Sequence, residues 1–491
     1  MAEVGRGPSR SEPQERARVI TDPTRLPELA PYGAGQRVVR LPELDNVPLT
    51  AAIVAVIDHP HFQRLRRVRQ LGPTWLVYPG AVHTRFEHAI GVYGTATRYL
   101  RSLLQHERVR HGLDAVDVRT VLAAALLHDV GHYPFAHTLE AIHHGGHGGH
   151  DAPRHEDLAE EVLFGRAPGL APGHAPIARI LEREVEVDPH RVSALIRAPR
   201  RALPSATDRF LQSILSSAID ADKMDYLWRD SVHLGVPYGR NYDRERLLNA
   251  LTLDEAGDSI AVTDKGIVSA EIFLFCRYTM FSEVYWHHTV RSVSAMLEAA
   301  LADLIARDKP DPVDLTSRLM GVGDDELLRT FAAEAAPKSA GERLLHGLTG
   351  DRRRLYKRLA TWSKADVDEH RREQWQALAG LDRRRERALI AKLSRSLGGT
   401  KPLPPGALLL DVPPRDKDRI PDVAVHHARA RDGAGAWTSL AASSNIVHGI
   451  AHDFVAVVKK MRLFVHPEHG HLVAQPGRVT AAVDQALTEL S

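Results

Sequence analysis

The chain has 491 residues, 43% of them hydrophobic, and a formal net charge of +2. This composition fits a folded protein of roughly two or three domains, and the balanced charge argues against a protein built mainly to coat nucleic acid. No apolar run approaches the ~18–20 residues that cross a bilayer, and the single cysteine, Cys276, excludes an internal disulfide and favours a cytoplasmic location.

In chain order, the composition divides the sequence into four parts. Residues 1–35 are rich in Pro, Arg and Glu and are expected to form a flexible tail. A helical body follows over residues 36–308, and a charged helical extension over residues 309–400. A group of prolines then marks a boundary, after which residues 401–491 predict a small α+β region. The chain as a whole is therefore expected to be mostly α-helical.

Short strands are predicted at the edges of these parts. One extended segment lies near residues 36–40, and a small hairpin is expected to pair residues 259–262 with residues 267–268. After the proline boundary, residues 407–412 and 461–465 read as strands, and residues 479–490 as a closing helix.

Two segments of the helical body carry histidines in settings that indicate a site. Residues 83–88 open a helix that runs to about Leu104, and the apolar run 121–127 predicts a buried helix that ends at His128 and Asp129. Burying an imidazole beside a carboxylate is costly unless something compensates for it, and a metal ion compensates well.

A third segment, residues 210–230, reads as one long helix with an apolar stripe in its first three turns. Asp222, Tyr226 and Asp230 follow at i, i+4 and i+8 and share one face, with Lys223 beside it. Acid, aromatic and base side chains along one side of a helix are typical of the wall of a site.

Each of these patterns also has an ordinary structural interpretation. The end of the third segment could be an exposed helix end on which Asp225 and Arg229 form a solvated pair. The segment from His143 to His150 contains four glycines, so a surface loop is a better interpretation than a metal site.

The four polar residues His88, His128, Asp129 and Asp222 resemble the ligand set of HD-domain metal-dependent phosphohydrolases, whose fold is a helical bundle. The resemblance extends through about residues 36–300. Within the family, this part of the sequence is most similar to the deoxynucleoside-triphosphate triphosphohydrolase branch. No sterile-alpha-motif module is visible, so the chain resembles the bacterial type. Four segments carry this likeness in the order found in that branch: residues 62–72, 83–88, 128–137 and 219–226.

The resemblance implies a divalent metal bound by His88, His128, Asp129 and Asp222. Two imidazoles and two carboxylates suit Mn, Fe, Mg, Zn, Co or Ni, and leave positions for water and a phosphate oxygen. Four further residues would handle protons in such an enzyme. His132 and His137 would protonate the leaving group or steer the water, and Glu140 and His155 would orient the donor, with Glu140 standing where the family usually has Asp.

The resemblance also implies contacts to a nucleotide. Arg85 and Lys223 would contact phosphates. The remaining contacts concern the sugar: Tyr226 and Asp230 would surround it and its 3′-hydroxyl, Gln70 and Leu71 would close against its edge, and Trp286 aligns with a sugar-stacking tyrosine of the family, one residue from Tyr285. Helix-core packing is the alternative for Tyr285 and Trp286.

The implied function is hydrolysis of (deoxy)nucleoside triphosphates to nucleoside and inorganic triphosphate. Two alternatives stay open: an HD phosphohydrolase for another phosphoester, such as a nucleoside monophosphate or a cyclic nucleotide, and a nucleotide-sensing scaffold with a vestigial site. The family likeness further implies an effector nucleotide and a homo-oligomer, either a dimer or a tetramer. Arginine clusters at residues 352–354 and 383–385 leave a nucleic-acid contact as a less favoured option, and no membrane association is expected.

Overall fold

The computed structural model describes residues 22–30, 37–42, 45–143, 153–169, 172–413, 422–427 and 437–490. Most of the predicted flexible tail and the loop at residues 144–150 lie outside the described residues.

The body predicted over residues 36–308 is helical. Its helices are α1 Ala51–Ile57, α2 Pro60–Gln63, α3 Arg85–Leu103, α4 Glu107–Gly112, α5 Ala115–Leu127, α6 Ala136–His143, α7 His155–Leu163, α8 Ile177–Ile180, α9 Pro189–Arg197, α10 Ala206–Leu215, α11 Ala221–Leu234, α12 Arg244–Asn249, α13 Ile267–Met280 and α14 His288–Asp308. Short 3-10 turns at Arg64–Arg67 and Gly72–Leu76 flank a connecting segment before α3.

In the described residues after the body, eight further helices follow: α15 Pro312–Gly321, α16 Asp324–Glu334, α17 Ala340–Thr349, α18 Glu369–Ala379, α19 Arg383–Gly398, α20 Leu440–Ser443, α21 Asn445–Asp453 and α22 Pro476–Thr488. The closing helix α22 confirms the helix predicted at residues 479–490. Among the described helices, none is both long enough and apolar enough to cross a membrane.

Within the part of the chain that the structure describes, the strands form three small sheets. They are β1 Arg37–Leu41, β2 Asp45–Leu49, β3 Leu251–Leu253, β4 Ile260–Thr263, β5 Lys357–Trp362, β6 Leu408–Asp411, β7 Ala424–His426, β8 Trp437–Ser439 and β9 Met461–Val465. β1 and β2 form an antiparallel pair. A second sheet has the order β3-β4-β7-β8 with β4 and β7 parallel, and a third has the antiparallel order β5-β9-β6.

The main core is built around α5. A capping box between Asp114 and Asp117 starts this helix, and its apolar residues from Val121 to Leu127 are at most 1% exposed because α3, α9 and α10 cover it. A second, smaller core packs β5, β6 and β9 against α18, α19 and α22. It draws residues from both sides of residue 400, so the proline boundary does not separate two packed units.

Three predicted elements differ from the structure. Residues 210–230 form two helices, because Asp220 accepts the backbone N–H groups of Ser217 and Lys223 and thereby caps α11 after a turn. The predicted hairpin is also wrong: β4 pairs with β3, while residues 267–268 begin α13. The strand β5 lies in a stretch predicted to be helical, where its pairing with β9 outweighs local propensity.

Candidate active site

Three helix ends bring the predicted metal ligands together. His88 lies in the first turn of α3, His128 and Asp129 directly follow α5, and Asp222 lies in the first turn of α11. Oδ1 of Asp222 is 3.1 Å from Nε2 of His88 and 3.7 Å from Nε2 of His128. Asp129 completes the group, with Oδ2 3.8 Å from His88 Nε2 and Oδ1 3.4 Å from His128 Nε2.

Both ligand histidines are oriented by a hydrogen bond at the opposite ring nitrogen. Nδ1 of His88 lies 2.9 Å from Oδ2 of Asp225, and Nδ1 of His128 lies 2.9 Å from the carbonyl oxygen of Ala125. Because each acceptor can take a proton from Nδ1, each Nε2 faces the acids and is the nitrogen that could bind a cation placed between them. This donor set fits a divalent cation, and the described ligand atoms of His88, His128 and Asp222 lie within 4.8 Å of one another.

Burial and neighbouring polar groups act in opposite directions on the pKa values of the candidate ligands. Burial alone would lower the pKa of His88, but hydrogen bonds to Asp222 and Asp225 outweigh it and raise the pKa of His88 to about 10. Burial would likewise raise the pKa of Asp129, yet His132 and Arg85 hold the pKa of this carboxyl well below its usual range. The site therefore keeps its acids ionised, as a cation requires.

Behind His88 lies a buried ion pair, not the solvated pair that the alternative interpretation of this segment supposed. Arg229 donates to both oxygens of Asp225 at 2.7 and 2.9 Å, and both side chains are 2% exposed. A third bond of 2.7 Å joins Arg229 to Glu87. The pair fits only because α3 carries Gly91 here: a Cβ at this position would lie 2.1 Å from Nη2 of Arg229.

A second group of imidazoles lies beside the first. The ring centroids of His132 and His155 are 3.7 Å apart, and the ring of His137 meets each of them edge-on at 5.2 Å. These three histidines also bring one ring nitrogen each within 4.8 Å of one another. Gly131 allows the start of α7 to approach, because a Cβ there would lie 2.1 Å from the carbonyl oxygen of His155.

Glu140 holds this imidazole group in place. Its Oε1 accepts from Nδ1 of His155 at 2.7 Å and from the backbone N–H of the same residue at 2.8 Å, and its Oε2 lies 3.8 Å from Nδ1 of His137. Although burial raises it, these histidines hold the pKa of Glu140 well below its usual range. Glutamate, which is one methylene longer than the usual aspartate, thus extends from the ring of His155 to within 3.8 Å of the ring of His137.

His132 and His137 differ in accessibility. His132 is 1% exposed, neither ring nitrogen has a hydrogen-bond partner, and Nδ1 lies 3.1 Å from Oδ1 of Asp129. Burial and the positive charge of Arg85 hold the pKa of His132 well below its usual range. The side chain of His137 is 66% exposed, so it is more accessible to a bound molecule than His132.

The two cations expected at the phosphates border the metal ligands. Nη1 of Arg85 donates to Oδ2 of Asp129 at 2.6 Å, and Nζ of Lys223 donates to Oδ2 of Asp220 at 2.7 Å. Arg64 begins the 3-10 turn before the connecting segment. Its guanidinium donates to the carbonyl oxygens of Val130 and His132 and thereby supports the turn that follows α5.

The residues expected at the sugar are only partly brought together. Asp230 is 1% exposed, and its Oδ2 accepts from the hydroxyl of Tyr285 at 2.5 Å. The rings of Tyr226 and Tyr285 meet edge-on at 6.3 Å. Trp286 points elsewhere: it lines a separate cleft and carries the guanidinium of Arg291 over its ring. Of the adjacent residues Tyr285 and Trp286, it is therefore Tyr285 that lies beside Asp230 and Tyr226.

Gln70 and Leu71 lie on a segment that is hydrogen-bonded to His83 on one side and to Asp324 on the other. The backbone N–H of Gln70 donates to the carbonyl oxygen of His83 at 3.0 Å, and Oε1 of Gln70 is buried without a partner. The N–H of Arg69 donates to Oδ2 of Asp324 at 2.6 Å, from the start of α16. Asp324 is 2% exposed, and burial raises its pKa to about 6.

Sequence reasoning missed several residues that support this site. Asp225 and Arg229 have the spacing of a helix pair, but spacing does not reveal burial. His83 belongs to the motif that opens α3 yet received no role, and Asp324 is distant in sequence from the segment that it holds. The sequence offered only a weak signal for these supporting roles, namely that His83 and Asp225 lie close in sequence to predicted metal ligands.

A second cleft, of about 450 Å³, lies away from these ligands and is strongly basic. Its cations come from β5, α18, β9 and the residue directly before β9, Lys460. Burial together with Arg291 and Arg358 lowers the pKa of Arg462 to about 10 despite the opposing effect of Asp411. Burial, His287 and Arg358 lower the pKa of His288 to about 4. The residues that define this basic cleft are Trp286, His287, His288, Arg358, Arg371, Lys460 and Arg462.

Comparisons with known proteins match this architecture. The HD domain model matches residues 85–230, and the model of the HD-associated region matches residues 242–479. The chain is 35% identical over 246 residues to the uncharacterized protein YwfO of Bacillus subtilis, covering 50% of each protein. It is 26% identical over 396 residues to the deoxynucleoside triphosphate triphosphohydrolase SAMHD1 of Gallus gallus, covering 75% of this chain and 62% of that protein.

Solved structures share the fold. A hypothetical protein from Aquifex aeolicus aligns with a TM-score of 0.63 at 23% identity, covering 90% of this chain and 100% of that chain. The chain spans from 50% to 62% of the length of the first three curated relatives that it matches.

Proposed function

Because the chain belongs to the HD-domain family, we propose that it is a metal-dependent hydrolase that converts (deoxy)nucleoside triphosphates to nucleoside and inorganic triphosphate. The observation that carries this proposal is the convergence of His88, His128 and Asp222 on one point, with Asp129 and Arg85 beside it. A cation bound by these ligands would supply Lewis acidity to activate water and to polarise a phosphate.

The proposed reaction forms one bond and breaks one bond. A water oxygen attacks the α-phosphorus, the bond from this phosphorus to the 5′-oxygen breaks, and the leaving 5′-oxygen takes up a proton. Triphosphate departs with all three phosphorus atoms. Arg85 and Lys223 would balance the negative charge of the phosphates.

His137 is the proposed proton donor, because its exposed ring can reach the leaving oxygen while Glu140 orients it from behind. His132 would accept a hydrogen bond from the attacking water, since it is buried next to Asp129 and its nitrogens have no other partner. His155 would fix Glu140, to which it is joined by two hydrogen bonds.

The experiment that tests the function is a matrix of divalent metals against all dNTPs and NTPs, with products separated by chromatography. Intact triphosphate released from a dNTP supports the proposal. Release of orthophosphate, or turnover only of a monophosphate or cyclic nucleotide, favours the other phosphohydrolase. No turnover with any metal contradicts both.

Asp222→Ala distinguishes an enzyme from a sensing scaffold. If the protein is an enzyme, this variant loses both the bound metal and turnover. If it is a scaffold with a vestigial site, the wild type has no turnover and the variant binds nucleotide as the wild type does. Asp58→Ala is the matched control, because Asp58 is exposed at the end of α1 and has no side-chain contact to the site. The buried Cys276 fits the cytoplasmic location that we propose for the enzyme.

We also propose that an effector nucleotide binds in the basic cleft. Four cations surround about 450 Å³, and Glu283 is the one carboxylate among the residues that line it, which suits a polyphosphate. In the Asp222→Ala protein, calorimetry with GTP should reveal binding that Arg358→Ala removes. Loss of all nucleotide binding in Asp222→Ala alone would contradict a second site.

A homo-oligomer is proposed because α13 exposes an apolar stripe. Val268, Ile272 and Phe275 recur at helical spacing and are 37–58% exposed. Sedimentation should show a dimer or tetramer that Phe275→Glu weakens and Val367→Glu does not, since Val367 is an isolated exposed residue. A monomeric wild type at micromolar concentration would contradict this proposal.

A further inference from the structure

Asp230 is held at both of its oxygens by protein donors. Oδ2 accepts from the hydroxyl of Tyr285 at 2.5 Å, and Oδ1 lies 2.8 Å from Nε2 of His83. The side chains of His83 and Asp230 are 0% and 1% exposed, so no water competes for this bond. The direction in which the carboxylate faces is therefore set by a histidine to which no role has yet been given.

His83 is itself held rigidly. Its ring stacks on that of His233 with centroids 4.3 Å apart and planes 19° from parallel. Nε2 of His233 lies 3.0 Å from Oε1 of Glu87, which also accepts from Arg229. The other nitrogen of His83, Nδ1, is buried and has no hydrogen-bond partner among the described residues, so Nε2 carries the proton that Asp230 accepts.

The same residue also positions the segment on the other side of the expected sugar. Its carbonyl oxygen accepts the N–H of Gln70 at 3.0 Å, and a bridge between Arg69 and Thr84 continues this pairing. Gln70 and Asp230 come from distant parts of the chain, and both are hydrogen-bonded to His83. A shift of this residue would move both groups at once.

We propose that His83 is a positioning residue that sets selectivity for the sugar of the nucleotide. It acts through Asp230 and Gln70, and among the described residues its side chain is hydrogen-bonded to neither a candidate metal ligand nor a phosphate cation. The inference rests on the proposed function for the identity of the ligand. Its physical content is separate: without the Nε2–H donor, Asp230 is free to turn, and the discrimination between a sugar with a 3′-hydroxyl and a sugar without one weakens.

The test uses His83→Phe, which keeps a ring on His233 but has no N–H donor, and His83→Gln, whose amide nitrogen can replace Nε2. His106→Phe is the control, because it removes a histidine bond to the carbonyl oxygen of Leu251 elsewhere in the body. The probes are analogues of dGTP and 2′,3′-dideoxy-GTP in which a methylene group replaces the 5′-oxygen, so that the phosphoester bond broken in the proposed reaction is absent. Their binding is measured by calorimetry on the full chain, together with KM and kcat for dGTP and 2′,3′-dideoxy-GTP.

The expected result is a roughly tenfold or larger loss in the ratio of deoxy to dideoxy affinity in His83→Phe, with recovery in His83→Gln. Metal content and competition by inorganic triphosphate should stay at wild-type values, which a general loss of structure would not allow. The inference is overturned if the ratio stays within twofold of wild type in His83→Phe, or if metal, triphosphate and both analogues are lost together. Failure of the function has a different signature: no turnover by the wild type, whatever the analogue ratios.

Discussion

Nδ1 of His88 lies 2.9 Å from Oδ2 of Asp225, and this bond turns the opposite nitrogen of the ring toward Asp222. A residue that is not itself a predicted ligand thus determines how a ligand is presented. Arg229 completes the arrangement by neutralising Asp225 within the core.

Asp225→Ala should lower metal affinity by roughly 10- to 100-fold, because the His88 ring loses the acceptor that fixes its tautomer. Asp225→Asn, which keeps an acceptor oxygen, should lie between this variant and the wild type. Competition with a chelating dye well below the unfolding temperature measures the effect, and Asp58→Ala serves as the control. Wild-type affinity in Asp225→Ala would show that the bond does not matter for the metal.

Gly91→Ala should destabilise the fold by about 2–4 kcal/mol, because the new Cβ would collide with the buried Asp225–Arg229 pair. The free energy of unfolding is measured by urea denaturation. Gly112→Ala is a matched control at the end of α4, where a Cβ meets nothing within 4 Å. Equal stability of the two variants would contradict the close packing described for α3 and α11.

Asp324 should make stability depend on pH. Its pKa of about 6 in the folded protein exceeds the ordinary 3.8, so the protonated form stabilises the fold. This contribution is fully present below about pH 4 and is lost as pH rises through 6, a change of about 3 kcal/mol. Asp324→Asn cannot titrate, so the unfolding free energy of the wild type relative to this variant should fall by most of that amount between pH 4 and pH 7. A flat difference would contradict the burial of this charge.

Tyr285→Phe should reduce kcat/KM for a dNTP about tenfold, because it removes the hydrogen bond that its hydroxyl donates to Asp230. Tyr356→Phe loses a comparable bond, to the carbonyl oxygen of Gly406, and should stay within about twofold of wild type. Full efficiency in Tyr285→Phe, combined with a loss in Trp286→Phe, would instead support the alignment that assigned the sugar contact to Trp286.

The helical body could be predicted because its signals are local. The apolar run before His128 required a buried helix, and the spacing of Asp222, Tyr226 and Asp230 described the helix that bears them. Local signals failed at residues 216–220, where one capping aspartate divides a continuous apolar pattern. They also failed at β5, whose conformation depends on a partner strand about a hundred residues away.

The chemical types of the candidate ligands were determined by the sequence alone, since imidazole and carboxylate side chains in that order already indicate a cation. Their environment was decided only by the tertiary structure. Asp225 and Arg229 could equally have been a solvated pair, and Tyr285 could have exchanged places with Trp286, because burial and direction depend on which distant helix packs against each face. The free energy of a buried charge depends on neighbours from the whole chain, and spacing along one helix contains no information about them.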